Sequence, residues 1–534
     1  MPSVTMRKRT KRSYLGRDNS PDLEDQLPAV SDMQLEATKE VEEEGSETEM
    51  EKQETAGEKR LRLARQYLEK IKQDIDSDEE DVDGLVAERL ETDVLEKAGK
   101  MFYHIAAQHT GIESDRILRK GRNCHQLSVT CISVVCREDD VYIYSVSKDS
   151  SIVKWDLNTG EKLEYIPGGL NPTKRLRNRD RKACLTEHVG HTNEIFTCAA
   201  SADGKLLATG GRDKIIHIWS IGKGSEPTKH LGQFKQHRDS ITSLTFSKVL
   251  PASSGSNPVG SATREYSPDF NRLYSSSMDR SVKVWNADEL AYVETLFGHQ
   301  DSITCIRTLT RERALTCGSR DRTMRLWKIA EESQLVYRSG SGGNVEDDLL
   351  IMMMRDANED QDGHGGNMKK RKRATENAGG SLDVVCMVDE DTFISGSDSG
   401  AISIWNAGKK KPMYTRLRCH GTGTTSSSGS SWDGKQGDNC NWIISLAAVP
   451  YSDLFCSGSC DGTLRFWKIA EDKRSFSPLF SFEMTGFINE LEFLKSGEDL
   501  HVVAAVGQEH RLGRWWRSKP ARNSVHVLKV QREV

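Results

Sequence analysis

Apolar residues follow two different periods along this chain. Between residues 55 and 110 they return every three or four positions, the spacing of one helix face. Leu61, Ala64, Leu68, Ile71 and Ile75 form one such stripe. Thr55-Ala56-Gly57-Glu58 in front of it has the form of a capping box, which satisfies N–H groups left open at a helix start. The other face carries Lys59, Arg60, Arg62, Arg65, Lys70 and Lys72, so the predicted helix is basic and amphipathic. A second stripe, Val86, Leu90, Val94, Ala98, Met101 and Ile105, predicts a helix from about Leu85 to Gln108. From Cys124 onward the pattern shortens to that of strands, as in the alternation of Ile215, His217 and Trp219. Residues 1–54 show neither period. Their acidic stretch from Asp22 to Glu54 repels itself and buries too little to offset ordering entropy, so this tail is expected to be disordered.

The strand region repeats. Seven segments end in Trp, each with a slot six residues earlier that is usually acidic: Asp149 to Trp155, Asp213 to Trp219, Asp279 to Trp285, Asp321 to Trp327, Ser399 to Trp405, Asp461 to Trp467 and Glu509 to Trp515. A second landmark lies upstream, a His followed after three residues by Val or Ile, at His125, His191, His237 and His299. Two of the units read GHTNEIFTCAASADGKLLATGGRDKIIHIW and GHQDSITCIRTLTRERALTCGSRDRTMRLW. Such units, about 40 residues long, resemble the WD-repeat family. The resemblance implies an all-β fold, a seven-bladed WD40 β-propeller over residues 111–534. A helical extension (55–110) and the disordered tail (1–54) would precede it.

The same resemblance implies a hydrogen-bonded tetrad within a blade, here His191, Thr209, Asp213 and Trp219. An imidazole can bridge a carboxylate and a hydroxyl, while the indole N–H donates once. The set recurs from blade to blade, so it is expected to be structural and not a catalytic triad. Later units depart from the pattern. The His slot is expected to hold Gly380, Asn439 and Met484 in the last three. The acidic slot holds Ser399 in the fifth and Glu509 in the seventh, and Cys317 falls in the hydroxyl slot of the fourth.

Composition adds a compartment and removes some functions. The net charge of −5 hides an acidic N-terminal region and basic clusters elsewhere. No apolar run is long enough for a membrane-spanning helix. No apolar core follows the basic start, so no secretory signal is read. The twelve Cys contain no CxxC pair, and Cys131, Cys198, Cys305 and Cys386 sit in strand patterns, as buried free thiols would. Cys456 and Cys460 are the only near pair, so no metal and no cofactor are expected. Arg7, Lys8, Arg9, Lys11 and Arg12, and Lys369, Lys370, Arg371, Lys372 and Arg373, have the form of nuclear-localisation signals.

Candidate binding surfaces come from insertions and charge. Insertions at about 167–187, 340–379 and 421–438 precede a His slot and would share a rim with the acidic turns. One at about 249–269 would lie on the opposite rim. The first carries Lys174, Arg175, Arg177, Arg179, Arg181 and Lys182. Beside the acidic slots stand Lys148, Arg212, Lys214, Arg280, Arg320 and Arg322, all in the first four units. A basic half-rim of this kind attracts phosphates. No RNP1-type stacking motif is present, so contact would be to backbone and shape.

Further segments narrow the resemblance. ETAGEKRLRLARQYLEKIK, LYSSSMDRSVKVW and VAAVGQEHRLGRWW are similar to the WD-repeat proteins associated with the U3 small nucleolar RNA. That likeness implies a nucleolar subunit of a box C/D ribonucleoprotein acting on pre-ribosomal RNA. The partners it implies are that RNA at its box B/C motif, the kink-turn-binding protein seated there, and other small-subunit processome proteins. Neither a membrane nor a small-molecule substrate is implied. Two other classes compete. A ligase substrate receptor or chromatin reader would be a protein-only scaffold, but ligase receptors carry Arg or Lys where Asn158 and Asp288 stand. A propeller enzyme would need motifs such as GxSxG or HExxH, which are missing.

Overall fold

Each repeat folds as a sheet of four antiparallel strands, and seven such sheets make a ring. The computed structural model describes residues 102–119, 124–137, 140–169, 190–224, 226–247, 271–309, 313–339, 380–421, 440–496 and 499–532, with Arg62, Arg65 and Leu90, which are helical. Blades 1 to 6 span 129–166, 195–234, 241–297, 303–338, 382–416 and 443–483. The basic clusters 7–12, 174–182 and 369–373, the acidic tail and most of both predicted helices lie outside the described residues.

Blade 7 closes the ring with both ends of the strand-forming chain. Its sheet takes Phe487–Ser496, Asp499–Gly507 and Ser524–Arg532, and His109–Leu118 pairs outside them. Leu118 faces Val525 and Ile117 faces His526 in that pairing. The outermost strand therefore comes from the start of the ring and the other three from its end.

Within a blade, alternate residues face the neighbouring blades. Trp155, Trp285, Trp405 and Trp467 are at most 1% exposed. Trp285 stacks on Phe234 of blade 2 with ring centroids 4.4 Å apart. Burial of side chains of this size contributes about 1.5–3 kcal/mol each. Cys131, Cys198, Cys305 and Cys386 are buried in the same layers.

The innermost strand of every blade has a register shift after its first paired residue, or after its second in blade 7, for example between Val129 and Cys131, between Ile303 and Cys305 and between Ile488 and Glu490. The extra residue of a bulge re-aims its side chain. Here it aims at the next blade. Thr130 donates to Ile195 O at 2.8 Å, Thr242 to Ile303 O at 2.6 Å, Thr304 to Leu382 O at 3.3 Å and Asn489 to Val129 O at 2.7 Å. The last of these seals blade 7 to blade 1.

The predicted second helix does not reach Gln108. Phe102 to Ile105 lie outside any helix, with Tyr103 bridged to Ser452, and only Ala106–Gln108 turn as a short 3-10 helix. Tyr103 N donates to Tyr451 O at 2.7 Å, and Asp453 N donates to Tyr103 O at 3.1 Å. Asp453 Oδ1 accepts from Ile105 N at 2.8 Å and Ala106 N at 2.9 Å. Backbone pairing with blade 6 outweighs helix continuation at these residues.

Candidate nucleic-acid interface

Antiparallel strands send successive turns to opposite rims. The turn between the second and third strands of each blade carries the acidic slot, and the tetrad fixes that turn. In blade 2, His191 Nδ1 lies 2.7 Å from Asp213 Oδ2 and Nε2 lies 2.9 Å from Thr209 Oγ1. Trp219 Nε1 donates to the same hydroxyl at 2.9 Å. A carboxylate only accepts, so in the neutral ring the proton sits on Nδ1 and points to Asp213, and Nε2 accepts the Thr209 hydroxyl proton. Blade 3 repeats the set with His237, Ser275, Asp279 and Trp285.

Burial alone would raise the carboxyl pKa values, but bonds from the imidazole and nearby groups outweigh it. Asp213, Asp279 and Asp461 are held below the usual carboxylate range. Asp321 is held at about 2.

Three slot assignments from the sequence are corrected. In blade 4 the hydroxyl is Thr316, which meets His299 Nε2 at 2.8 Å and accepts from Trp327 Nε1 at 2.9 Å. Cys317 falls at the expected spacing because this turn is one residue longer. In blade 6 the histidine is His420, not Asn439. Its Nδ1 lies 3.1 Å from Asp461 Oδ2 and its Nε2 lies 2.8 Å from Ser457 Oγ. The insertion at 421–438 therefore follows this histidine; it does not precede it. In blade 7, Trp515 ends no strand. The third strand is Ser524–Arg532, and residues 508–523 form a loop. Blade 5 has neither His nor Asp and keeps only the bond from Trp405 Nε1 to Ser395 Oγ, at 2.9 Å.

The blade 7 loop crosses the mouth of the ring on the acidic-turn rim. Arg511, 5% exposed, donates to Thr242 O at 3.2 Å and Thr304 O at 2.8 Å, on the inner strands of blades 3 and 4. Those carbonyls belong to two of the bulge residues. Lys148 Nζ of blade 1 donates to Gly513 O at 2.7 Å. Arg514 reaches Glu194 of blade 2 at 2.6 Å. Trp515 packs on His510 and Trp442, and Trp516 meets Phe487 edge-on at 5.1 Å. Trp515 still exposes 55% of its surface and Trp516 37%.

The structure sorts the sequence candidates on this rim. Lys148 is buried, bonded within the protein and depressed in pKa by burial, so it is not a surface cation. Arg212, Lys214, Arg280, Arg320 and Arg322 are exposed. Arg212 is paired with Glu194 at 3.3 Å. The residue after the acidic slot adopts the left-handed conformation in blades 1 to 6: Ser150, Lys214, Arg280, Arg322, Gly400 and Gly462. That conformation costs a side-chain-bearing residue about 1–2 kcal/mol, and glycine avoids the cost. Blades 5 and 6 use glycine there, whereas blades 2, 3 and 4 carry a long cation.

The arginine-rich insertion is anchored in the same place. Gly169 N donates to His191 O at 2.8 Å, and a Cβ on Gly168 would meet Ser150. Both anchors flank the blade 1 turn and a cleft of about 240 Å³ lined by Asp149, Asn193, Glu194, Arg212 and Arg514. The blade 7 loop adds Arg514, Trp515, Trp516, Arg517, Lys519 and Arg522, none of them a candidate from the sequence, because the paired tryptophans between arginines have the spacing of a repeat ending.

Comparison with known proteins follows the same lines. The model "WD domain, G-beta repeat" matches residues 182–220, 248–286, 291–328 and 435–468. Ribosomal RNA-processing protein 9 of Saccharomyces cerevisiae is 32% identical over 484 residues, covering 83% of this chain and 78% of that protein. U3 small nucleolar RNA-interacting protein 2 of Homo sapiens is 36% identical over 450 residues, covering 84% and 76%. The solved structure described as "Structure of U3-55K" superposes with a TM-score of 0.57 at 36% identity, covering 78% of this chain and 99% of that one.

Proposed function

The chain belongs to the family of WD-repeat proteins associated with the U3 small nucleolar ribonucleoprotein, and on that premise we propose that its acidic-turn rim receives the RNA. It is a binding subunit of the U3 box C/D particle, acting in pre-ribosomal RNA processing and small-subunit biogenesis. Its place of work is the nucleolus, and its role is binding without catalysis. Within the particle it meets the box B/C motif of the RNA together with the kink-turn-binding protein seated there. It also contacts other processome proteins.

One observation carries the choice of rim: Lys214, Arg280 and Arg322 stand in left-handed turn positions that blades 5 and 6 give to glycine. Strain of this kind is retained where it serves a site. On the same rim, against Trp442 and Phe487 of blades 6 and 7, the blade 7 loop offers exposed tryptophan faces beside arginines, a combination suited to unstacked bases and phosphates together. The insertion with Lys174, Arg175, Arg177, Arg179, Arg181 and Lys182 starts from the same rim and adds phosphate contacts. The clusters 7–12 and 369–373 serve nuclear import.

The test is a gel shift of the full chain with a U3 RNA fragment bearing the B/C motif, with and without the kink-turn-binding protein. Changing Lys214, Arg280 and Arg322 together to Ser should weaken binding at least about tenfold and lower the salt slope by about one unit per lost phosphate contact. Changing Arg177, Arg179 and Arg181 to Glu should add to the loss. Unchanged affinity in the turn variant would move the RNA to another surface.

A further inference from the structure

On the rim opposite the acidic turns, the turns between third and fourth strands carry their own charge pattern. Blade 5 presents Lys409, Lys410 and Lys411, all exposed. Asn406 fixes this turn, accepting from Gly408 N through its side chain at 2.9 Å and from Lys409 N through its carbonyl at 2.9 Å. Blade 6 presents Arg474 across a concavity of about 730 Å³. Asp472 Oδ1 accepts from Arg474 N at 2.9 Å and holds that second turn. Pro412, Met413 and Tyr414 also line the hollow. Among the described residues, none of the four cations has an ion-pair partner. Lys473 beside them is different, since its ammonium is committed to Asp389 at 2.7 Å and lies over the Phe102 ring.

We propose that this hollow between blades 5 and 6 binds a short acidic peptide segment of a partner protein, with an apolar side chain laid on half-buried Met413. Four cations without ion-pair partners, against the single carboxylate of Asp472 in the lining, make one concave site complementary to a short run of carboxylates. A long polyanion is disfavoured by the flanks. Blade 4 presents exposed Glu331 and Glu332 at its corresponding turn, and blade 6 presents exposed Glu471. An RNA strand running along the rim would meet these carboxylates within one blade on either side. Base stacking has no platform here either, because Tyr414 is half-buried and meets Phe476 edge-on at 5.2 Å. This site lies on the other rim from the one assigned to RNA, so each assignment can fail without the other.

The experiment uses the full chain and two labelled probes read by fluorescence anisotropy. One is a peptide of about ten residues alternating aspartate and leucine; the other is an oligouridine of equal length. Reversing charge at Lys409, Lys410 and Lys411 to Glu should weaken the peptide at least about tenfold, and Arg474→Glu alone about threefold. Met413→Ser should also weaken it, while oligouridine affinity stays within twofold of the parent in all variants. A peptide that does not bind the parent, or binds the charge-reversed protein equally well, would overturn the proposal. So would a loss of oligouridine binding as large as that of the peptide, which would make the hollow a nucleic-acid site.

Discussion

Blade 2 and blade 7 have the same four-stranded sheet and treat its acidic-turn rim in opposite ways. Blade 2 ties residues 212–215 to the incoming loop through His191, Asp213, Thr209 and Trp219, and its turn stays short. Blade 7 lacks the histidine, has Glu509 in the acidic slot, and lets residues 508–523 leave the sheet and cross the ring. The tetrad is a local lock that makes a blade self-sufficient. Without it, blade 7 draws its order from elsewhere: from the strand His109–Leu118, from Asn489 bonded to blade 1, and from Arg511 bonded to blades 3 and 4. Blade 5 shows that loss of the lock does not by itself lengthen a turn, since Gly400 keeps that one tight.

The comparison can be broken first at the borrowed strand. Deleting residues 102–118 should abolish cooperative unfolding in calorimetry, because it strips blade 7 of its outer strand and opens an edge. A retained transition would mean that three strands suffice. Next comes the lock itself. Asp213→Ala leaves His191 buried without its acceptor and should cost about 3 kcal/mol in urea denaturation. Ser399→Ala in blade 5 should cost less than about 1 kcal/mol. Equal costs would mean that the tetrad adds nothing beyond packing.

Third is the strut. Arg511→Met leaves two buried carbonyls without donors and should cost about 2 kcal/mol. It should also weaken RNA binding by freeing Trp515 and Trp516. An R511M protein with parental stability and affinity would show that the loop holds itself.

The smallest effect is in pH. The tetrad aspartates have depressed folded pKa values, so their contribution is present above the ordinary carboxylate value and is lost as pH falls through the folded one. For Asp321 that window runs from about 4 to about 2. Asp383, at the bulge of blade 5, behaves inversely. Burial and Asp398 push it up to about 6, so its contribution is present below about 4 and is lost as pH rises through 6. Asp383→Asn should therefore be more stable than the parent at pH 7 and indistinguishable from it at pH 4.

The repeat architecture was legible because the Trp and Asp of blades 1 to 4 and 6 sit at fixed spacing in short turns. Legibility ended where spacing stopped tracking geometry. His420 is separated from its strand by the insertion at 421–438, so the nearest slot pointed to Asn439. One added residue in the blade 4 turn moved the hydroxyl from the slot of Cys317 to Thr316. Trp515 lies six residues after Glu509 by position alone and belongs to a loop. Lys148 looked like its neighbours in sequence, and only the crossing loop buries it. Arg511 gave no local signal at all, because its partners lie more than two hundred residues away.

The pairing of His109–Leu118 with Ser524–Arg532 also sets an order of events. The outer strand of blade 7 is among the first parts of the ring to leave the ribosome, and its three partners are the last. Six blades can form while synthesis proceeds, but each intermediate keeps an unpaired flank and an open arc. The ring becomes complete only after Ser524–Arg532 has been made. Until then the nascent chain is a molecule that needs shielding from its neighbours.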